Sequence, residues 1–105
     1  MQFINPFPRR LKDARDALGI SQRELGVRIG LEPDSASSRM NHYERGRHMP
    51  DFDTLKRIAE ELHVPVAFLF CECDEMAEMI KAFDNLVPED RQKILELIKK
   101  SAGTT

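Results

Sequence analysis

Tryptophan is missing, tyrosine occurs once, and only two cysteines stand in 105 residues. Cys71 and Cys73 are too few to staple a small secreted fold. No second Cys/His pair stands at finger spacing, so no metal site is expected. No apolar run approaches the ~18–20 residues that a membrane-crossing helix needs. The opening MQFINPFPRR places a basic pair behind two prolines and has no apolar segment, unlike a secretory signal. Gly-rich phosphate loops, HExxH and a Ser/His/Asp set are also missing, so neither catalysis nor a cofactor is expected. No stretch alternates polar and apolar residues cleanly enough for a β-strand. These scarcities leave an all-α, non-enzymatic chain, with the cytoplasm as its expected location.

What is present is helical spacing. Leu11, Ala14 and Leu18 share one face of a first helix over 8–18, with Gly19 just beyond its end. Ser21-Gln22-Arg23-Glu24 has the capping-box pattern and opens a second helix that ends at Gly30. Asp34, after Pro33, is the expected cap of a third helix in which Ala36, Met40 and Tyr43 face inward. Asp51 caps a fourth helix with the stripe Phe52, Leu55, Ile58, Ala59 and Leu62. Pro65 starts a fifth, apolar nearly all round and hence buried. Cys71 continues that apolar run, so its thiol is expected to be buried as well. A sixth helix carries Met76, Met79, Ile80 and Phe83. A seventh opens at Pro88-Glu89-Asp90 and carries Ile94, Leu95 and Ile98. Ser101 to Thr105 read as a frayed end.

The outer face of the third helix is unusual. Ser35, Ser38, Arg39 and His42 point away from the apolar side, with Ser37 and Asn41 on the flanks. An idle solvated face favours Glu and Lys, which are better helix formers than Ser and Asn. This face holds compact hydrogen-bonding groups and no acid. Major-groove recognition uses such groups: Arg pairs with guanine, Asn with adenine, and Ser with either. Charge runs the same way. Residues 1–50 carry nine Lys/Arg against six Asp/Glu, and residues 71–105 carry five against eight. A basic front and an acidic back suit an anionic partner.

The first five helices resemble the phage-repressor/Cro-type (XRE) helix-turn-helix family over about residues 10–70. The resemblance rests on Arg10-Leu11-Lys12, Arg15, Gly19-Ile20-Ser21-Gln22, Glu24-Leu25, Gly30, Tyr43-Glu44-Arg45-Gly46, Pro50, Leu55, Ile58-Ala59, Leu62, Val64 and Leu69. It implies a sequence-specific regulator of transcription that binds double-stranded DNA as a homodimer and acts as a repressor. It places Ser37, Ser38, Arg39, Asn41 and His42 at base edges. It places Ser21, Gln22, Arg23, Ser35, Arg45 and Arg47 at phosphates. It also implies an ion pair between Arg15 and Glu44. Between Gly30 and Tyr43 this chain has about four residues more than common members, close to one extra helical turn.

The domain reading is a five-helix repressor-like domain over 1–70 and a C-terminal helical extension over 71–105. The apolar residues of the extension, Met76, Met79, Ile80, Phe83, Ile94, Leu95 and Ile98, either fold back on the core or form a dimer interface, and the dimer is favoured. The other functional reading is a protein-interaction module, an antitoxin or co-regulator, built on the same fold.

Overall fold

The computed structural model describes residues 3–103. It holds seven helices: α1 (Phe7–Leu18), α2 (Gln22–Arg28), α3 (Pro33–Glu44), α4 (Phe52–Leu62), α5 (Val66–Leu69), α6 (Asp74–Asp84) and α7 (Pro88–Ala102). Among the described residues there is no strand, and no helix is long and apolar enough to cross a membrane. The fold is all-α.

Local chemistry sets most boundaries. The Ser21 hydroxyl accepts from the Glu24 amide at 2.9 Å, and the Asp51 carboxylate accepts from the Thr54 amide at the same distance. That bond holds the Asp51 carboxyl below its usual range. The chain turns out of α1 at Gly19, with φ +70. Two boundaries differ from expectation. Phe7, not Pro8, opens α1, because the Asn5 side chain accepts from the Phe7 amide at 3.0 Å. Glu32, not Asp34, occupies the cap position of α3, and Pro33 takes the first helical turn. Proline suits that place because its missing N–H would have no partner there. Asp34 then lies in the first turn, beside the positive end of the helix dipole. α3 thus runs for 12 residues from Pro33. At the far end α7 runs through Ala102 to Gly103, so Ser101 is helical, while Thr104 and Thr105 lie outside the described residues.

Phe7, Leu11, Leu25, Met40, Ile58 and Leu69 are the largest fully buried side chains. Tyr43, Leu55, Leu62 and Phe68 complete the centre around them. Phe52 is a correction: it is 65% exposed. It sits at the first position of α4 and lines a shallow cleft with Lys56, His63 and Asn85, outside the core. In α5, Phe68 and Leu69 are buried but Ala67 is exposed, since a single turn cannot be enclosed on every side.

The core does not stop at residue 70. Cys71 and Ala77 belong to it, and Ile80 packs against it. Arg10 donates from Nε to the Cys71 carbonyl at 2.8 Å and reaches Asp74 at 3.0 Å, and Arg9 reaches the same carboxylate at 2.8 Å. The two arginines, Arg10 first, hold the Asp74 carboxyl below its usual range. So α6 folds back on the five-helix block. By contrast α7 has no buried residue. It turns back along α6 through Arg91, which donates to the Asp84 and Leu86 carbonyls at 2.6 and 3.1 Å and lies over the Phe83 ring. The radius of gyration is 15.8 Å, against about 13 Å for a compact chain of this length.

Two contacts hold α3 in place. At Gly26 a Cβ would stand 2.8 Å from the Ala36 Cβ and 3.0 Å from its carbonyl oxygen, so α2 and α3 touch nearly backbone to backbone. Near the end of α3, Arg15 donates to Glu44 from Nε at 2.6 Å and from Nη2 at 3.0 Å, and from Nη1 to the Ile20 carbonyl at 2.8 Å. The Arg15 side chain is 11% exposed and that of Glu44 3%. The hydrogen bond to Glu44 raises the Arg15 pKa above its ordinary value.

Gly26→Ala is expected to destabilise the fold by about 1–2 kcal/mol despite alanine's better helix propensity, because a carbonyl cannot swing aside. Urea unfolding measures this, and an unchanged or raised midpoint would refute the close approach. Arg15→Met is expected to cost about 3–5 kcal/mol by leaving Glu44 buried and uncompensated, with Arg15→Met/Glu44→Leu regaining much of the loss. Thermal melts of the three proteins check that ordering.

Candidate nucleic-acid interface

The outer face of α3 follows its sequence pattern. Ala36, Met40 and Tyr43 are buried, while Ser37, Ser38 and Arg39 are exposed. His42 and Asn41 are half-buried. Ser35 is half-buried too, and its hydroxyl donates to the Glu32 carbonyl at 3.4 Å, within its own turn. Of the two acids in α3, Asp34 stands exposed in the first turn, one turn before Ser38, and Glu44 is buried against Arg15.

The loop after α3 is pinned to it. The Arg45 amide donates to the Asn41 carbonyl and the Arg47 amide to the His42 carbonyl, both at 2.9 Å. Gly46 between them has φ +72, a conformation that other residues adopt at a cost. The turn therefore brings Arg45 and Arg47, both exposed, back beside the last turn of α3. Arg23 is exposed on the first turn of α2. Among the described residues, Arg23, Arg39, Arg45 and Arg47 have no acid within ion-pair reach. Arg28, at the end of α2, is instead committed to Glu24 at 3.1 Å. Unpaired cations beside a helix face of small polar groups give this side of the molecule a chemistry suited to an anion.

Two clefts flank the outer face of α3. One, of about 410 Å³, is lined by Arg39, His42, Tyr43, His48 and Met49, with the two imidazole rings 5.3 Å apart. The other, of about 420 Å³, is lined by Lys12, Arg15, Gln22, Asn41, Glu44 and Arg45. In the second, Gln22 Nε2 donates to Glu44 Oε1 at 3.0 Å and to Asn41 Oδ1 at 3.2 Å. Asn41 therefore groups with Gln22 and Arg45, apart from Arg39 and His42. Sequence reasoning missed this grouping, along with Lys12, His48 and Met49 as cleft residues. Only the basic character of Lys12 hinted at a place there. The Ser21 hydroxyl accepts the capping bond of α2 and keeps its own hydrogen to donate. Among the described residues no group of His, Cys, Asp and Glu is placed to hold a metal ion.

The expected interface residues of the extension divide in two. Ile80 and Phe83 are half-buried; Met76, Met79, Ile94, Leu95 and Ile98 are exposed. Met79, Ile80, Phe83, Leu95 and Ile98 line an apolar groove of about 460 Å³ together with Pro65.

Residues 11–69, more than half of the chain, match the helix-turn-helix family model. The solved structure of transcriptional regulator BswR is 42% identical and superposes with a TM-score of 0.85, covering 90% of this chain and 93% of that one. That coverage reaches beyond the matched domain and takes in much of the α6–α7 hairpin. No curated protein matches the chain. Domain match, overall likeness and site geometry agree: the chain belongs to the XRE-type helix-turn-helix family, and is a DNA-binding transcriptional regulator rather than an enzyme.

Proposed function

We propose that the protein recognises specific sites in double-stranded DNA as a homodimer and represses transcription by occupying promoter DNA in the cytoplasm. The observation that carries this reading is the small, polar outer face of α3, with unpaired Arg39 on it and unpaired Arg45 and Arg47 pinned beside its last turn. An α-helix fits the major groove, and its small side chains let the backbone come close. Ser37, Ser38, Arg39 and His42 then reach base edges. Ser21, Arg23, Ser35, Arg45 and Arg47, with Gln22 through its backbone N–H, lie toward the phosphates, where cations and backbone N–H groups supply most of the affinity. A second reading, a protein-binding surface on α3, would want an exposed apolar patch there. The exposed residues of that face are polar or charged.

The dimer is assigned to the α6–α7 hairpin. Its apolar groove is open, and α7 buries nothing of its own. A two-fold pair of reading heads would meet half-sites about 34 Å apart, or a multiple of that.

Site selection from a random duplex library near ~150 mM salt is expected to return a two-fold-symmetric consensus. Arg39→Ala is expected to lose about 1–3 kcal/mol on the selected site and to relax one position per half-site. Equal weakening on cognate and random DNA would remove Arg39 as a reader, and no enrichment by wild type would refute DNA recognition. Leu95→Glu in the full chain is expected to turn a dimer into a folded monomer, read by light scattering and circular dichroism. An unchanged dimer mass would move the interface elsewhere.

A further inference from the structure

We propose that Asn41 is a phosphate clamp, and that the buried Arg15–Glu44 pair sets its orientation through Gln22. The proposal rests on the DNA-binding reading and assigns a role within that same surface.

The direction of each hydrogen bond follows from chemistry. Arg15 donates to both oxygens of the Glu44 carboxylate, which therefore faces Gln22 as an acceptor. The Gln22 group facing it must therefore be the amide NH₂. That nitrogen has two hydrogens. One goes to Glu44 Oε1 at 3.0 Å and the other to Asn41 Oδ1 at 3.2 Å. Gln22 then has no side-chain donor left for a phosphate, and Asn41 has its carbonyl turned inward. Its NH₂ group is what remains to face the cleft.

Two consequences follow. Reading adenine takes both ends of an Asn amide at once, Nδ2 to N7 and Oδ1 from N6. With Oδ1 turned toward Gln22, the end of the Asn41 amide left facing outward is its NH₂ donor, which suits an acceptor as partner and not the two-ended grip on adenine. The cleft around it indicates which acceptor. Its rim carries Lys12 and Arg45, both exposed cations, and its only acid is Glu44, buried and neutralised by Arg15. Lys12 meets Asp16 at 3.3 Å, but both side chains are more than half exposed, so the pair is weak and easily given up. An outward amide between two cations suits a phosphate oxygen. Arg39 and His42, on the other side of the helix, keep the base-reading role.

The test uses the full chain and two duplexes, the selected site and a scrambled one, followed by fluorescence anisotropy. Asn41→Ala is expected to weaken both duplexes by the same factor, roughly tenfold, and to leave the selected consensus unchanged. Asn41→Asp keeps the shape and the inward bond but presents a charged oxygen, so it is expected to weaken both further. Gln22→Leu is expected to match Asn41→Ala, and the double variant to bind no more than about twofold worse than either, because both changes remove one device. Lys12→Ala is expected to lower the slope of log affinity against log salt by about one. A consensus changed at one base by Asn41→Ala would overturn the clamp and restore Asn41 as a reader. Losses that multiply in the double variant would overturn the relay. Wild type that binds neither duplex would overturn the DNA reading and the clamp with it, an outcome distinct from the other two.

Discussion

The buried pair between Arg15 and Glu44 is the constraint on which the working surface depends. Arg15 spends three of its donors on two elements, the Glu44 carboxylate at the end of α3 and the Ile20 carbonyl in the turn before α2. One guanidinium thus fixes the end of α3 relative to both α1 and the α1–α2 turn. Glu44 then offers an oxygen to Gln22, at the start of α2. Burying these charges is costly, and as a source of stability the pair could be replaced by apolar side chains of similar size. What it supplies is geometry: three helices meet at one carboxylate, and the cleft beside it inherits their arrangement.

Close packing does the complementary work at the other end of α3. The Gly26–Ala36 approach lets α2 and α3 come together with almost no side chain between them. With α3 pressed inward at Ala36 and tied at Glu44, its opposite face is turned outward.

The C-terminal hairpin follows a different logic. The first part of α6 is bound into the core by Ala77 and by the clasp of Arg9 and Arg10 on Asp74. α7 touches little beyond α6 and leaves its apolar residues open. The five-helix block and α6 thus form one packed body, and α7 extends it with an open apolar surface.

Much of this was legible in the sequence, because much of it is local. The caps at Ser21 and Asp51, the stop at Gly19 and the inward stripe Ala36–Met40–Tyr43 follow from residues within one or two turns of each other. The Arg15–Glu44 pair was legible only through family resemblance, since 29 residues separate the partners. Other features were decided by packing alone. Whether Phe52 was buried depended on where the core ended beneath α4. Whether the fold closed at residue 70 depended on Arg10 finding Cys71 and Asp74 across the molecule. The composition of α3 marked Asn41 as a hydrogen-bonding residue on a reading helix. Only the tertiary structure could say which end of its amide faces outward, because a residue 19 positions earlier takes the other end. Periodicity places a side chain on a face, but the direction of its hydrogen bonds depends on partners that only the folded chain brings near.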